Sequence, residues 1–403
     1  MKVIVIGGGA SGMVASYFFA KNGNEVTLIE KNEKLGKKLY ITGKGRCNLT
    51  NDCSVEDFLN NVVSNPKFLL SSINNFTPED AMNFFESLGL PLKTERGNRV
   101  FPLSDKSSDV IKVLEKALIS LGVEIRFNEN VLDLIVEDNT IKGVTTTMCD
   151  YFADKVVVAT GGLSYPSTGS TGDGYKWAEK LGHKITDLKP SLCGFNLKGE
   201  EYKELQGLGL KNVTLTAYDD GKQYYKEMGE ILFTHFGISG PLVLSCSALT
   251  CKKDYKKITL SIDLKPALSE KELDNRILRD FSLNKNKEFK NSLDGLLPKT
   301  LIPLIISRSK ILPYKKNNVI SKEERLGLVN TLKNLNFSLA SLRDYTEAVI
   351  TSGGISIKDV NPSTMESKIV KNLYFIGEVL DVDAYTGGFN LQIAFSTAKR
   401  CAN

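Results

Sequence analysis

Short, mostly apolar runs recur along the chain and predict buried strands. They are Met1 to Ile6, Glu25 to Ile29, Lys155 to Ala159 and Leu373 to Ile376. Runs without polar alternation are typical of parallel strands that are covered on both faces. A helix-compatible stretch, Met13 to Lys21, lies between the first two. The pattern predicts an α/β fold with a parallel sheet to which a late strand returns.

Other periodicities predict the elements between these strands. Thr77-Pro78-Glu79-Asp80 is a helix start within a helical region at 55–90. Residues 94–102 predict a hairpin with a Gly-Asn turn, and 107–121 an amphipathic helix. Strands are expected at 124–127, 131–136 and 140–147, and the last two of these predict an antiparallel meander. A further helix is expected at 173–181.

From Pro190 the pattern changes to short strands, which predict a small barrel or sandwich. These strands are expected at 193–197, 213–218, 222–227, 230–234 and 258–264, with a glycine-punctuated loop at 233–241. Four helices are then expected, at 269–283, 288–297, 301–307 and 321–335. A strand pattern resumes at 336–351, and a terminal helix is expected at 393–401. We therefore predict a discontinuous domain of 1–189 and 349–403, a barrel domain of 190–264 and 336–348, and a helical insert of 265–335.

The first predicted strand enters G-x-G-x-x-G, formed by Gly7, Gly9 and Gly12, without a spacer. A tight turn, a close backbone approach to a pyrophosphate and close helix packing are the functions of these three glycines in dinucleotide-binding folds. Glu30 ends the second strand and is placed to accept hydrogen bonds from ribose hydroxyls. An acid at this position favours FAD or NAD over NADP.

Two loops are predicted to wrap the ligand. Residues 31–51, which contain Arg46, hold glycines and small polar groups and predict a loop rather than a helix or strand. The strand at 155–159 ends in Thr160-Gly161-Gly162 and is followed by a Ser, Thr and Gly-rich loop, 163–173. The ends of parallel strands are where open α/β sheets hold ligands.

The last strand ends in Gly377-Glu378, and a helix start follows near Asn390 to Gln392. An acid there suits ribityl hydroxyls, and backbone N–H groups at a helix start suit the ring edge of a flavin. NAD has no ribityl chain, so the pattern favours FAD.

Composition narrows the classes of protein that remain. The chain has 403 residues, of which 41% are hydrophobic and 25% charged, values typical of a globular protein. No apolar stretch approaches the roughly 20 residues needed to span a bilayer, and no secretory peptide is expected. Seven cysteines and two histidines suggest neither a disulfide framework nor a metal site.

The net charge is +5, and the lysine clusters are interpreted as solvated faces. We expect a cytoplasmic protein with a small-molecule substrate and without nucleic-acid or membrane partners; its oligomeric state stays open. One cluster, Lys34, Lys37 and Lys38, lies near the predicted pyrophosphate loop, which makes Lys38 a candidate cofactor contact.

With these residues in view, the sequence resembles a bacterial flavoprotein family that contains aminoacetone oxidase and 3-dehydro-bile-acid 4,6-reductase. The resemblance covers nearly the whole chain and rests on GGGASG (7–12), TGKGRCNLTN (42–51), RVFP (99–102), ATGGLSYPSTGSTGDGY (159–175), LFTHFGISGP (232–241), TSGGI (351–355) and LYFIGEVLDVDAYTGGFNLQIA (373–394). Lys44, Ala384 and Phe389 depart from the family's usual residues. The resemblance implies an FAD domain of the glutathione-reductase type, into which a small barrel with its own helical interruption is inserted.

The resemblance also implies which residues contact FAD. They are Gly7, Gly9, Ser11, Gly12, Glu30, Lys31, Arg46, Cys47, Asn48, Val131, Thr160, Gly161, Gly377, Glu378, Asn390, Leu391 and Gln392. Ala10, Lys38 and Asp383, which lie within or beside these motifs, complete the candidate cofactor site.

We therefore expect an FAD-dependent oxidoreductase that transfers hydride at flavin N5, with His235, Tyr165 and Arg46 as candidate acids or bases. An oxidase of amino-ketones and a reductase of enones both fit. The lack of a second nucleotide fingerprint disfavours a dedicated NAD(P)H site but leaves transient docking of NAD(P)H as electron donor open. Two alternatives from other classes are a flavin-dependent tRNA-modifying protein and a non-catalytic redox sensor that uses Cys47.

Overall fold

The computed structural model describes all 403 residues, and its internal contacts divide the chain into two compact units. The first unit contains Met1–Ser191 and Asp344–Asn403, and the second contains Leu192–Arg343. No helix has both the length and the apolar character needed to cross a membrane.

The first unit begins with eleven strands and seven helices. The strands are β1 Lys2–Ile6, β2 Glu25–Ile29, β3 Thr50–Asn51, β4 Leu92–Glu95, β5 Arg99–Pro102, β6 Glu124–Arg126, β7 Val131–Glu137, β8 Thr140–Thr146, β9 Asp150–Phe152, β10 Lys155–Val158 and β11 Lys189–Ser191. The helices are α1 Ala10–Lys21, α2 Lys37–Ile41, α3 Val55–Asn60, α4 Leu70–Asn75, α5 Pro78–Ser87, α6 Ser107–Ser120 and α7 Asp173–Lys180.

The second unit interrupts the first, which then resumes. The second unit contains β12 Phe195–Leu197, β13 Gly209–Asp219, β14 Lys222–Thr234, β15 Gly237–Ser239, α8 Pro241–Thr250, β16 Ile258–Asp263, α9 Glu270–Leu283, α10 Ile302–Ser309, α11 Lys322–Lys333 and β17 Leu335–Leu342. The first unit then adds β18 Ile350–Ser352, β19 Leu373–Phe375 and α12 Phe389–Cys401.

A parallel five-stranded sheet in the order β19-β10-β1-β2-β6 forms the centre of the first unit. Val5 pairs with Leu28 on one side and with Val157 on the other, and all three side chains are fully buried. Helices α1 and α12 pack against each other. Because the strands are parallel, the carboxyl ends of β1, β2, β10 and β19 meet at one edge of the sheet.

Three smaller antiparallel sheets complete this unit, and one of them is the two-stranded pair of β11 and β18. The predicted hairpin forms β4 and β5, to which β3 adds. The predicted pair of strands at 131–136 and 140–147 forms β7 and β8, and β9, which was not predicted, completes this meander. Helix α5 begins with a capping box in which Thr77 and Asp80 satisfy each other's backbone N–H groups.

The second unit contains a closed six-stranded barrel in the order β12-β15-β14-β13-β16-β17. Its interior holds the fully buried rings of Phe195 and Phe233, and Phe233 packs edge-on against Phe337 at 5.9 Å. Helices α9, α10 and α11 lie in the connection between β16 and β17.

The barrel strands differ from prediction in two places. The two strands predicted at 222–227 and 230–234 are one strand, β14, because the ladder to β13 continues through Met228 and Gly229. The predicted loop at 233–241 is instead a hairpin into β15, and helix α8 follows it directly. Helix α8 has apolar residues on nearly every face, so no amphipathic period indicated it.

Three further predictions were wrong. Residues 288–297 are not an α-helix, because the backbone N–H groups of Phe289 and Lys290 bond to the carbonyls of Lys315 and Pro313. The loop predicted at 31–51 contains the short helix α2, and residues 343–349 between β17 and β18 do not form a strand.

Candidate functional site

A cleft of about 570 Å³ lies in the first unit, at the edge where the parallel strands end. Its wall includes the ends of β1 and β2, Ala159 to Gly161 after β10, Glu378 after β19, and the first turns of α1 and α12. A volume of this size falls within the range of about 300–1,000 Å³ that is usual for small-molecule sites.

The three glycines of the fingerprint have different surroundings. A side chain on Gly7, whose φ is +104°, would meet the Ala159 carbonyl oxygen at 2.7 Å, and one on Gly12 would meet the Gly7 carbonyl oxygen at 1.8 Å. No atom lies within 4 Å of the corresponding position at Gly9, which lines the cleft. Gly7 and Gly12 are therefore required by the packing of the turn, whereas Gly9 keeps the cleft open.

Glu30 is held rigidly at the end of β2. Its buried carboxylate accepts hydrogen bonds from the Gly8 N–H at 2.7 Å and from the Asn32 backbone and side-chain N–H groups at 2.8 and 2.6 Å. Both oxygens are thus oriented by neighbours, and each retains acceptor capacity toward the cleft that it lines.

An ion pair joins the two loops beside Glu30. The Lys31 ammonium lies 2.8 Å from Asp173 and donates to the Thr171 hydroxyl at 2.6 Å. Burial opposes ionisation of Asp173, but Lys31 and Thr171 outweigh it and lower the pKa of this carboxyl. The Ser, Thr and Gly-rich loop predicted to wrap a ligand is therefore fastened to the end of β2.

A second network surrounds Glu378. Its carboxylate accepts from the Lys38 ammonium at 2.7 and 2.9 Å, from the Ser164 hydroxyl at 3.2 Å and from the Thr351 N–H at 3.0 Å. Lys38 belongs to α2, 340 residues from Glu378 in sequence. The pair links the head and the tail of the chain at the cleft.

The donors and acceptors of the cleft fit an FAD. The first turns of α1 and α12 carry no acidic side chain, so their N–H groups are available to anions or to ring acceptors. The Thr160 hydroxyl is a buried polar atom of the cleft wall without a hydrogen-bond partner inside the chain. An orphaned hydroxyl in a polar cleft is the kind of group that a bound ligand satisfies.

Most of the predicted cofactor residues line this one cleft. They are Gly7, Gly9, Ala10, Ser11, Glu30, Lys31, Lys38, Val131, Thr160, Gly161, Glu378, Asp383, Asn390 and Leu391. The other six predicted cofactor residues do not line the cleft: Gly12, Arg46, Cys47, Asn48, Gly377 and Gln392. Several of these side chains instead form contacts within the protein. The Gln392 amide, for example, is fully buried and donates to the Phe76 carbonyl and the Ser396 hydroxyl at 3.0 Å each.

Arg46 is engaged in a cluster of charged side chains. Its guanidinium bonds to Glu95 and Asp105, each at 2.5 Å, and lies 4.2 Å from the centre of the Phe101 ring. The hydrogen bond from Arg46 lowers the pKa of Glu95, and those from Lys93 and Arg46 lower the pKa of Asp105. The guanidinium is therefore directed to the β4-β5 hairpin.

Cys47 and Asn48 follow Arg46 in sequence. Cys47 is fully buried in the hydrophobic core, and burial raises the pKa of its thiol. An inert buried thiol does not suit a redox sensor. The Asn48 side-chain oxygen is buried without a partner.

The other two catalytic candidates lie in different units. Tyr165 is half-buried in the first unit, with a positive φ of 52°, and its N–H donates to the Tyr345 carbonyl at 2.8 Å. Burial, followed by the Glu347 charge, raises the pKa of its phenol. His235 is exposed at the turn between β14 and β15 of the second unit, where its ring packs edge-on against Phe236.

Several cleft residues were not identified from the sequence. They include Asn32, Thr42, Glu129, Asn130, Trp177 and Val349 to Thr351. Glu129 is a buried carboxylate, held by the Thr146 hydroxyl at 2.6 Å, and the Trp177 indole donates to the Leu132 carbonyl at 3.1 Å. No local pattern marks Glu129, Asn130 and Trp177, because only the docking of the meander and α7 brings them to the cleft. Asn32 and Thr42 lie in the loop at 31–51 that was predicted to wrap the ligand, although neither was singled out there.

Comparisons with known proteins agree with this architecture. Curated relatives include the 3-dehydro-bile acid delta(4,6)-reductase of Clostridium scindens, 30% identical over 98% of this chain and 97% of the relative. The ribosomal RNA dihydrouridine synthases of Escherichia coli and Haemophilus influenzae are 31% and 32% identical, over 99% of this chain and 96% and 97% of the relatives.

Among solved structures, 3-ketosteroid-delta4-(5alpha)-dehydrogenase from Rhodococcus jostii matches with a TM-score of 0.55 and 14% identity, over 100% of this chain and 96% of that chain. This likeness shows the fold alone. The family model described as HI0933-like protein Rossmann domain matches residues 1–403. The chain therefore belongs to the HI0933-like Rossmann family and is an enzyme of the FAD-dependent oxidoreductase class.

Proposed function

We propose that this protein is an FAD-dependent reductase of a carbon–carbon double bond conjugated to a carbonyl group. The names of the three full-length relatives share this chemistry. Dihydrouridine differs from uridine by saturation of the C5–C6 bond, which is conjugated to the C4 carbonyl, and a 4,6-dienone has the same arrangement. We favour this reaction over the oxidase alternative for that reason.

For the substrate we propose a uridine of ribosomal RNA. The observation that carries this choice is the distribution of charge between the two units. The first unit holds 27 Lys and Arg against 30 Asp and Glu, a net charge of −3, whereas the second holds 25 against 17, a net charge of +8. An excess of positive charge in one part of a protein is one element of the electrostatic footprint of a nucleic-acid partner. The sequence-based expectation of no nucleic-acid partner is the opposing prediction.

In this proposal the cleft residues hold the cofactor. The glycine turn and the start of α1 would hold the pyrophosphate, Glu30 would accept from the adenosine ribose, and Asn390 and Leu391 would offer N–H groups to the flavin. FAD, when bound, supplies the two-electron hydride chemistry, with NAD(P)H as the proposed external donor. The same proposal assigns the FAD domain to the glutathione-reductase type. It also divides the chain into the FAD domain, the barrel domain and the helical insert.

Reduction of a conjugated double bond also needs a proton. Tyr165 is the donor we propose, because a tyrosine phenol carries its proton at neutral pH and this one lies in the loop that borders the cleft. It lies three residues before the cleft-lining Thr168, whose hydroxyl donates to the Tyr165 carbonyl at 2.7 Å. His235 is the second candidate, and Arg46 is the third.

The test supplies the purified holoenzyme with NADH or NADPH under argon, together with an unmodified ribosomal RNA transcript. We expect bleaching of the flavin absorbance and, in nucleoside digests, a uridine heavier by two mass units. A steroid dienone tests the bile-acid alternative, and peroxide formation from aminoacetone in air tests the oxidase. Without bleaching by either nicotinamide, or without a heavier uridine, the proposal is wrong.

Variants test the proton donor in the same assay. Tyr165→Phe is expected to lower the rate of uridine reduction by about 10²-fold, while flavin reduction by NAD(P)H is unchanged. Tyr17→Phe, on α1 beside Phe84, is the matched control and is expected to be neutral. Equal rates for Tyr165→Phe and wild type would remove Tyr165 from the mechanism, and the same experiment with His235→Ala tests His235.

A further inference from the structure

Two segments of the second unit, 284–290 and 313–318, lie side by side in antiparallel directions. The N–H of Asn318 bonds to the Lys285 carbonyl, that of Asn317 to the Lys287 carbonyl, and those of Phe289 and Lys290 to the carbonyls of Lys315 and Pro313. The fully buried Phe289 ring, packed edge-on against Phe281, anchors the pair from below. We call these thirteen residues the basic ribbon.

The basic ribbon concentrates positive charge. It contains five lysines, 285, 287, 290, 315 and 316, and a single acid, Glu288. Lys285, Lys287 and Lys316 are exposed, and Lys299, Lys310 and Lys322 are exposed nearby in sequence. Three ribbon lysines have ion-pair partners, Asp294, Glu288 and Glu324. The pairs of Lys287 and Lys290 are exposed, and exposed pairs contribute little, so phosphate groups can replace Asp294 and Glu288 there. Lys315 stays engaged with the half-buried Glu324.

An exposed aromatic ring lies among the lysines. Tyr314 is 70% exposed, and the Lys290 ammonium lies 4.1 Å from the centre of its ring. Leu312, beside it, is 71% exposed. An open depression lined by Lys290, Lys299 and Pro313 adjoins the ring. Lysines interleaved with an exposed aromatic ring form the combination that binds unpaired nucleotides, by phosphate contact and base stacking.

We propose that the basic ribbon binds single-stranded RNA, with phosphates on Lys285, Lys287 and Lys316 and a base stacked on Tyr314. The inference rests on the proposed function, because it identifies the surface through which an RNA substrate is held. A ribbon that served only solubility would account for the lysines but not for the exposed ring of Tyr314 among them.

The test measures binding of the holoenzyme to a fluorescein-labelled single-stranded RNA 20-mer by anisotropy, over a series of KCl concentrations. The triple variant K285E/K287E/K316E is compared with K112E/K116E/K142E, which reverses three exposed lysines of the first unit. We expect the ribbon variant to bind at least tenfold more weakly at 100 mM KCl. Its slope of log affinity against log salt should fall by about 2, since each lost phosphate contact removes about 0.7. The control variant is expected to keep the wild-type slope.

Tyr314 variants test stacking separately from charge. Tyr314→Ala is expected to weaken binding of the single strand about tenfold and to leave binding of a 20-base-pair RNA duplex unchanged, because paired bases cannot stack on the ring. Tyr314→Phe retains the ring and is expected to bind like wild type. Equal losses in the ribbon and control triple variants, or equal effects of Tyr314→Ala on single strand and duplex, would overturn the inference.

The uridine-reduction assay separates this inference from the proposed function. If the ribbon variants lose RNA binding but wild type never reduces uridine, the ribbon inference stands and the proposed function fails. If wild type reduces uridine and the ribbon variants bind and reduce at the wild-type level, the ribbon inference fails alone. Flavin absorbance and thermal unfolding of each variant show that the fold is retained.

Discussion

We predict that two alanine substitutions within the glycine fingerprint have different consequences, one for the stability of the fold and one for ligand binding. Gly12→Ala adds a methyl group 1.8 Å from the Gly7 carbonyl oxygen and 3.1 Å from the Gly7 carbonyl carbon. Gly9→Ala adds the same group where no atom lies within 4 Å. Gly12→Ala should therefore destabilise the fold, and Gly9→Ala should weaken ligand binding.

The magnitudes follow from these contacts. To reach an ordinary separation, Gly12 and Gly7 must move apart by about 1.5 Å, and overpacking against backbone costs about 3 kcal/mol or more. Alanine repays about 1 kcal/mol in helix propensity at this helical position. The net destabilisation is about 2 kcal/mol, which raises the equilibrium constant for local opening about 30-fold. For Gly9→Ala, at the N-cap of α1, a cost below about 1 kcal/mol is expected.

Amide hydrogen exchange of peptides from residues 1–21 measures the first effect without assuming that both units unfold together. Titration of the apoprotein with FAD measures the second, for which we expect at least a tenfold loss of affinity in Gly9→Ala. Wild-type exchange in Gly12→Ala would contradict the packing argument. Wild-type FAD affinity in Gly9→Ala would contradict the placement of the pyrophosphate at this turn.

Two further predictions concern buried titratable groups. Burial lowers the pKa of His183, whose Nδ1–H donates to the Ala178 carbonyl at 3.0 Å and whose Nε2 lies 2.7 Å from the Ser367 hydroxyl. Stability is therefore complete above about pH 6.5 and falls as pH drops from there to the lower native pKa, because only the unfolded chain takes up the proton. His183→Gln is expected to remove this slope in urea titrations between pH 4.5 and 6.5, and an unchanged slope would refute the assignment. Iodoacetamide is expected to label exposed Cys149 and to leave buried Cys47 unmodified, since burial raises the pKa of the Cys47 thiol. Peptide mapping that finds Cys47 labelled in the folded protein would restore the redox-sensor alternative.

Several features could be predicted from short stretches of sequence. The inner strands β1 and β10 are apolar after their first residue, and the structure buries Val3 to Ile6 and Val156 to Val158 as that pattern requires. The Gly97-Asn98 turn gives the expected hairpin between β4 and β5. Gly7, Gly9 and Glu30 line one cleft with residues from the other end of the chain. In each case the physical cause is local: side-chain period, turn chemistry or a glycine that only one geometry accommodates.

Other features depend on partners distant in sequence. Arg46 lies in a loop that was predicted to contact a ligand. Its guanidinium instead donates hydrogen bonds to Glu95 and Asp105, which are 49 and 59 residues away in sequence. Residues 288–297 have helical composition, but their backbone bonds to 313–315 instead.

The sequence by itself determined the α/β class, the parallel sheet and the glycine turn with its acid. These depend on residues that are neighbours along the chain. Only the tertiary structure decided which of the polar candidates reach the cleft, that Lys38 meets Glu378 across 340 residues, and that two lysine-rich segments lie together in the basic ribbon. Such pairings depend on how whole elements pack, and no local propensity encodes that arrangement.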